Sequence, residues 1–305
     1  MTSTEPTTDS TTIGAEPVAN IDSLLENSLR DIGIPPRPLI LDRIAAEMQK
    51  DDPDFKRLAT IICADVSLAA GLIKTANSPF FGSNHRARNV GEALTVLGLK
   101  VAGRAIAGII LHKVFPNAPQ LVRFWDASAS VARLSGWLAK SLPDVSISAD
   151  DAYTFGLFRD CGIPVLMRRF PEYEKTLSDA NAAPERSFTA VEDSKFPANH
   201  AQVGCLLAQS WWLPDSTCRA IRHHHDSNVV APPAAGCPPN PEQQAVRMQI
   251  AVAQLAEYLI QQHSGLCQTH EWSKLGVNCM NVLNISETDL ASLLTEAAAV
   301  IDSDD

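Results

Sequence analysis

Along this chain apolar residues return every three or four positions, and nowhere do they alternate with polar residues over several positions. A helix places residues three and four apart on one face, whereas a half-buried strand needs a period of two, so the pattern predicts helices and no sheet. The period begins near Ile21. Leu41, Ile44, Ala45 and Met48 mark one apolar face. Phe55, Leu58, Ile61 and Ile62 mark the next, in a helix opened by Asp52 as its cap with Pro53 at the first helical position. Asp65 caps a third, carrying Leu68, Leu72, Ile73 and Ala76 and stopping at Asn77-Ser78-Pro79. Asn89 and Glu92 form a capping pair for residues 90–97, Gly98 breaks that helix, and residues 99–114 resume it. Beyond residue 120 the spacing predicts helices over 125–141, 150–170, 200–212, 214–224, 242–262 and, capped by Ser286, 287–301. Residues 171–199 read as a polar, Pro-interrupted connection, and residues 229–241, with five prolines, as a loop. The sum is an all-α chain of roughly a dozen helices.

With 305 residues and 45% hydrophobic content, the chain can bury a sizeable core. Aromatic residues are only 6%, so that core rests on Leu, Ile, Val and Ala, with Trp211 and Trp212 expected inside it. The formal net charge of −10 opposes nucleic-acid binding, which draws its affinity from Lys and Arg displacing counterions. His85, Arg86, Arg88, Lys100 and Arg104 could still form a local basic patch, or simply a solvated helix face. The seven cysteines occur singly, without a CxxC pair, and read as reduced, buried apolar groups. Residues 1–20 are rich in Thr, Ser and Pro and are expected to be a disordered tail without the character of a secretory signal. No uninterrupted apolar run reaches the roughly 18 residues a membrane span requires. The expected setting is the cytoplasm, with no membrane contact.

Several ordered motifs resemble the HDOD domain family. In the first half these are Ile34-Pro35-Pro36-Arg37-Pro38, Asp65 leading to Ala76-Asn77-Ser78-Pro79-Phe80-Phe81-Gly82, and Glu92-Ala93-Leu94-Thr95-Val96-Leu97-Gly98. In the second half, Gly156-Leu157-Phe158-Arg159-Asp160-Cys161-Gly162 is similar to the family's form of the HD signature, Gly-Leu-Leu-His-Asp-Ile-Gly. His200-Ala201-Gln202-Val203-Gly204, Trp212-Leu213-Pro214 and residues 221–225 agree in order and spacing. The resemblance covers residues 24–262 and implies a bacterial, all-helical multi-helix fold of two packed lobes related to the HD phosphohydrolases. It divides the chain into a tail (1–20), an HDOD domain (21–265, with lobes 21–118 and 119–265) and a C-terminal helical extension (266–305).

HD phosphohydrolases gather a His, an adjacent His-Asp pair and a distant Asp around one or two metal ions that activate water. The resemblance sets Ala127 at the first position, Arg159 and Asp160 at the pair, and Gln254 at the last, so Asp160 alone survives. A guanidinium has no lone pair to donate and repels a nearby cation. Adjacent helical residues do not face each other, which argues against a direct Arg159–Asp160 pair. His200, His224 and His225 leave two readings open: a vestigial pocket that still takes an anion or a metal, or a helix start and a polar helix end. Asn77, Ser78, Phe80, Phe81 and Gly82 likewise read as a partner-binding corner or as a helix stop with aromatic residues packed between lobes. The expectation is a non-catalytic regulatory protein, not an enzyme, with no metal and no cofactor, whose partners are other signalling proteins. Two alternatives stand beside it: a nucleotide or cyclic-dinucleotide sensor, and a residual metal-dependent phosphohydrolase built from Asp160, His200, His224 and His225. The last helix either packs on the domain or serves as a contact arm.

Overall fold

In the computed structural model, residues 32–78, 81, 86–115, 119–234, 236–265 and 269–302 are described, so the tail at 1–20 lies outside them, as do Phe80 and Gly82. Among the described residues there are fifteen helices and no strand. Four build the first lobe: α1 (Leu39–Met48), α2 (Phe55–Cys63), α3 (Val66–Ala76) and α4 (Val90–Val114). Asp54, not Asp52, caps α2, accepting from the backbone N–H groups of Lys56 and Arg57 at 2.8 and 3.1 Å. Burial of Leu58 and Ile62 fixes the rotation of that helix, which leaves Phe55 outside at 42% exposure rather than on the core face. Glu47 on α1 is buried, and its carboxylate pairs with Lys50 and Arg57 while accepting from the Asp54 N–H, which ties α1 to α2. Asp65 and Asn89 cap α3 and α4.

Helix α4 is long and apolar enough to cross a membrane, but half of its most apolar window is buried inside the protein. Gly98 sits in it at φ 70°, ψ 163°, a conformation that a Cβ disfavours, and splits it into two helical runs. It is a core helix on which α2 and α3 pack.

The second lobe runs through α5 (Pro119–Ser141), α6 (Ala149–Phe158), α7 (Gly162–Arg169), α8 (Tyr173–Asn181) and α9 (Phe188–Asp193). It continues with α10 (His200–Ser210), α11 (Asp215–His223), α12 (Ser227–Val230), α13 (Pro241–Ser264), α14 (Glu271–Leu283) and α15 (Glu287–Asp302). The stretch read as a polar connection contains α8 and α9. Each buries a few residues on one side, Tyr173, Thr176 and Ala180 on the first and Phe188, Val191 and Glu192 on the second, too few to show as a stripe. Helix α13 is central. Every residue from Met248 to Ala256 is buried, because α5, α11, α14 and α15 surround it. The last helix packs on the domain, through Leu290, Leu293 and Ala297.

Cys161, Cys205, Cys218 and Cys279 are buried free thiols, whereas Cys63 and Cys237 are exposed, contrary to expectation. Trp211 is buried as expected, but its neighbour Trp212 is 66% exposed at φ 60°. The lobes meet where α4 crosses α6, and an ion pair between Arg104 Nη2 and Asp151 Oδ1 at 2.6 Å bridges them.

Candidate functional site

Helix α6 ends at Phe158, Arg159 is its C-cap, and the chain turns through Asp160 and Cys161 before Gly162 opens α7. A Cβ on Gly162 would sit 2.1 Å from the carbonyl oxygen of His200 and 2.7 Å from the Gly204 nitrogen. Only glycine lets α7 approach α10 so closely, and that approach brings the start of α10 beside Asp160. Asn199 and Gln202 make a reciprocal capping box there. From the other side, α11 ends at His223, leaving His224 and His225 to turn inward.

Four side chains therefore converge. The Nε2 atoms of His224 and His225 each lie 3.2 Å from His200 Nε2, and Asp160 Oδ1 lies 3.2 Å from His224 Nε2 and 3.5 Å from His200 Nε2. One ligand atom from each of the four fits within 4.8 Å of all the others. Each imidazole is held from behind. His200 Nδ1 donates to Glu192 Oε2 at 2.7 Å, His224 Nδ1 to the Ile221 carbonyl at 2.7 Å, and His225 Nδ1 to Glu271 Oε2 at 2.6 Å. Glu192 also accepts from the His200 backbone N–H and from the Tyr173 hydroxyl. Lys274 donates to Glu271, and Phe188 stacks on His225. With every Nδ1 engaged as a donor, each Nε2 is left to face the centre, where it would take a metal ion on giving up any proton it carries.

The electrostatics follow from burial and charge. Burial opposes ionisation of Asp160, yet Arg159 and the hydrogen bonds of His200 and His224 hold its carboxyl well below the usual range. Burial would also lower His200, but Glu192 and Asp160 outweigh it and raise it to about 10. His225, desolvated and beside His224, falls to about 4.

Arg159 occupies the flank of this cluster. Its Nε bonds Asp160 Oδ2 at 2.8 Å and its Nη2 bonds Glu257 Oε2 at 2.7 Å, with Gln254 donating to the same Glu257 oxygen at 3.3 Å. The pair that helix geometry argued against does form, because Arg159 and Asp160 lie in the break between two helices and not inside one. Ala127 is exposed on α5 and takes no part in the cluster, and Gln254 is buried on α13 beside Glu257. His200 does begin a helix, yet it is fully buried, and the His224 and His225 side chains, 2% and 7% exposed, turn onto it and not out into solvent.

Sequence reasoning missed Glu192, Glu257 and Glu271. The one signal that could have pointed to them is that a buried histidine needs an acceptor for its second nitrogen. In the first lobe, Asn77 braces its loop, donating to the Ala87 carbonyl at 2.9 Å and accepting from its N–H at 2.8 Å. Ser78 is half-buried, and Phe81 meets Tyr153 of the second lobe edge-on at 5.4 Å.

A model of the HDOD domain family matches residues 34–227. An uncharacterized protein of Treponema pallidum (strain Nichols) is 28% identical over 197 residues, which are 63% of this chain and 38% of that protein. The chain thus spans well under half the length of the curated relative it matches. Among solved structures, an HDOD domain protein of unknown function from Geobacter sulfurreducens superposes with a TM-score of 0.58 at 22% identity, over 91% of this chain and 98% of that one. A Shewanella amazonensis SB2B protein provisionally named a phosphohydrolase gives 0.61 at 18% identity, over 90% and 97%. A Marinobacter aquaeolei VT8 protein provisionally named for signal transduction gives 0.59 at 20% identity, over 91% of this chain and 61% of that one. At these identities the superpositions speak for the fold.

Proposed function

The chain belongs to the HDOD domain family, and from that premise we propose that it is a signalling protein without a hydrolytic step, acting through contacts with other proteins. The observation that carries this proposal is Arg159, whose guanidinium is clamped between Asp160 and Glu257. A fixed cation sits where the HD arrangement has a metal-binding histidine, and Ala127 and Gln254 offer no ligand at two further positions. The family and the signal-transduction name of the Marinobacter protein favour a signalling role. The net charge of −10 speaks against a nucleic-acid partner. The buried free thiols accord with the cytoplasm.

The remaining donors suit one divalent ion. Three imidazole nitrogens and a carboxylate oxygen suit first-row metals, four of their six separations, at 3.2–3.5 Å, match the edges of a tetrahedron with metal–ligand bonds of about 2.0–2.1 Å, and all four atoms lie within 4.8 Å of one another. Bound there, an ion would supply a cross-link between the α6–α7 turn, the start of α10 and the end of α11. Four protein ligands make a closed set of the structural kind, whereas catalytic sites keep a position open. Glu192 and Glu271 fix the ring orientations, and Asp160 turns one oxygen to the histidines and the other to Arg159.

A second reading, a residual phosphohydrolase, is favoured by one feature: a polar cleft of about 390 Å³ lined by His225 together with Asn199, Gln202 and Arg222. One experiment separates the two. Protein purified without chelators or a metal column is analysed for metal, then assayed with manganese or iron on bis(p-nitrophenyl) phosphate and cyclic dinucleotides. No turnover above that of Asp160→Asn is expected, whatever the metal content. Turnover that Asp160→Asn abolishes would establish the hydrolase.

A further inference from the structure

Between the lobes, away from the histidine cluster, lies a cavity of about 370 Å³. Helices α1 and α4 form one side, and the end of α6 with the α10–α11 junction forms the other. Its polar lining is one-sided. Arg37, Lys100 and Arg104 line it, and among the described residues no carboxylate does. Asp42 lies 3.3 Å from Arg37 Nε and Asp151 lies 2.6 Å from Arg104 Nη2, so each arginine has one balancing acid outside the cavity while Lys100 adds a further positive charge. In a chain of net charge −10, this is a local reversal of sign.

Apart from Arg37 Nε, which has the Asp42 ion pair, three donors of its lining are buried without a hydrogen-bond partner: Arg37 Nη1, Arg104 Nη1 and the indole Nε1 of Trp211. Trp211 is only 2% exposed, so water offers its N–H no compensation. Buried polar groups are normally paired, and all three residues line this one cavity, so its wall is rich in donors and short of acceptors. Trp212 supplies the other half of the chemistry. Its ring is 66% exposed, lies under the Arg37 guanidinium at 4.1 Å, and is presented from a backbone at φ 60° that a bulky side chain rarely adopts. A large aromatic held out of the core in a disfavoured conformation at the mouth of a cationic cavity is placed to stack on a flat ring.

We propose that this inter-lobe cavity binds an aromatic phosphate of nucleoside monophosphate size. Its phosphate is held by Arg37, Lys100 and Arg104, and its ring lies against Trp212. The volume lies in the range of about 300–1,000 Å³ typical of small-ligand sites. Arginine forks match phosphate oxygens. A ligand there touches both lobes at once, so occupancy favours their docked arrangement. The site shares no residue with the histidine cluster, and it stands whether or not that cluster holds metal.

The test is calorimetric titration of the full chain with AMP and GMP, beside adenosine and inorganic phosphate as probes of the ring and the anion alone. We expect one nucleotide per chain, with adenosine and phosphate at least about tenfold weaker. Lys100→Gln and Trp212→Gly are expected to weaken the nucleotide by a similar factor without lowering the melting temperature. Lys100 is exposed, and glycine suits the positive φ at 212. No saturable binding at millimolar nucleotide, phosphate binding as tightly as AMP, or full affinity in both variants would each overturn the proposal.

Discussion

Arg159 carries a positive charge in a place with little water, and its neighbours explain why it is tolerated. Burial works against the charged guanidinium, but Asp160 and Glu257 outweigh it and raise its pKa. Such a triad is weak evidence of net stabilisation, yet breaking it removes the buried cation that two half-buried carboxylates share. Arg159→Ala is therefore expected to cost about 3–5 kcal/mol in urea unfolding. A loss below 1 kcal/mol would show that Asp160 and Glu257 find other compensation. Glu192 acts on the cluster from behind. Its replacement by Gln keeps a hydrogen bond to His200 but removes the charge that makes the imidazole a better donor of its lone pair. Metal affinity, read by competition with a chromophoric chelator, is expected to fall by about 10–100-fold, with helicity unchanged. An unchanged affinity would mean that the cluster is not a metal centre.

At the level of elements, the site depends on how closely α7 and α10 cross. Gly162→Ala forces a methyl group into backbone atoms of α10, where no flexible side chain can give way. The expected cost is at least about 1–3 kcal/mol by thermal or urea unfolding, with loss of whatever the cluster binds as His200 is displaced from Asp160. A neutral effect would mean that the helices part without consequence. In the first lobe, Lys113 of α4 reaches Asp65, the cap of α3, and its hydrogen bond brings the Asp65 pKa down to about 2. A carboxyl depressed in the folded state contributes stability above its unfolded value near 3.8, and that contribution disappears as pH falls toward 2. The pair is over a third exposed, so screening reduces the effect to a few tenths of a kcal/mol. Asp65→Asn retains a capping side chain and isolates the charge. Its unfolding free energy should differ from the parent at pH 6 and converge with it near pH 2, and a constant difference would assign the effect to the cap.

For the whole molecule, the C-terminal helices are part of the core. Helix α14 buries Leu275, Cys279 and Leu283, and near its start it supplies Glu271, the acceptor behind His225. A chain ended at Gly265 would expose the side of α13 that α14 covers and leave the His225 ring without its anchor. We expect such a chain to bind a hydrophobic dye and to lose cooperative unfolding, read by calorimetry. A sharp transition near that of the full chain would show that residues 269–302 are dispensable to the fold.

The sequence by itself determined the helical class, the capping residues Asp65, Asn89 and Ser286, the break at Gly98 and the family. Each of these depends on spacing along the chain or on a backbone preference confined to a few neighbouring residues. It also showed that Arg159 cannot be a metal ligand, which is a property of the guanidinium wherever it sits. Tertiary structure decided the rest. Glu192, Glu257 and Glu271 look like ordinary surface acids in sequence, since nothing local says that the end of the short helix α9, the central helix α13 and the C-terminal helix α14 meet around one centre. His200 meets Asp160 because Gly162 lets α7 approach α10, a contact between residues 38 or more positions apart in the chain. Whether His200, His224 and His225 are solvated or convergent depends on which side of each helix the core buries, and that is settled only when all the helices pack together.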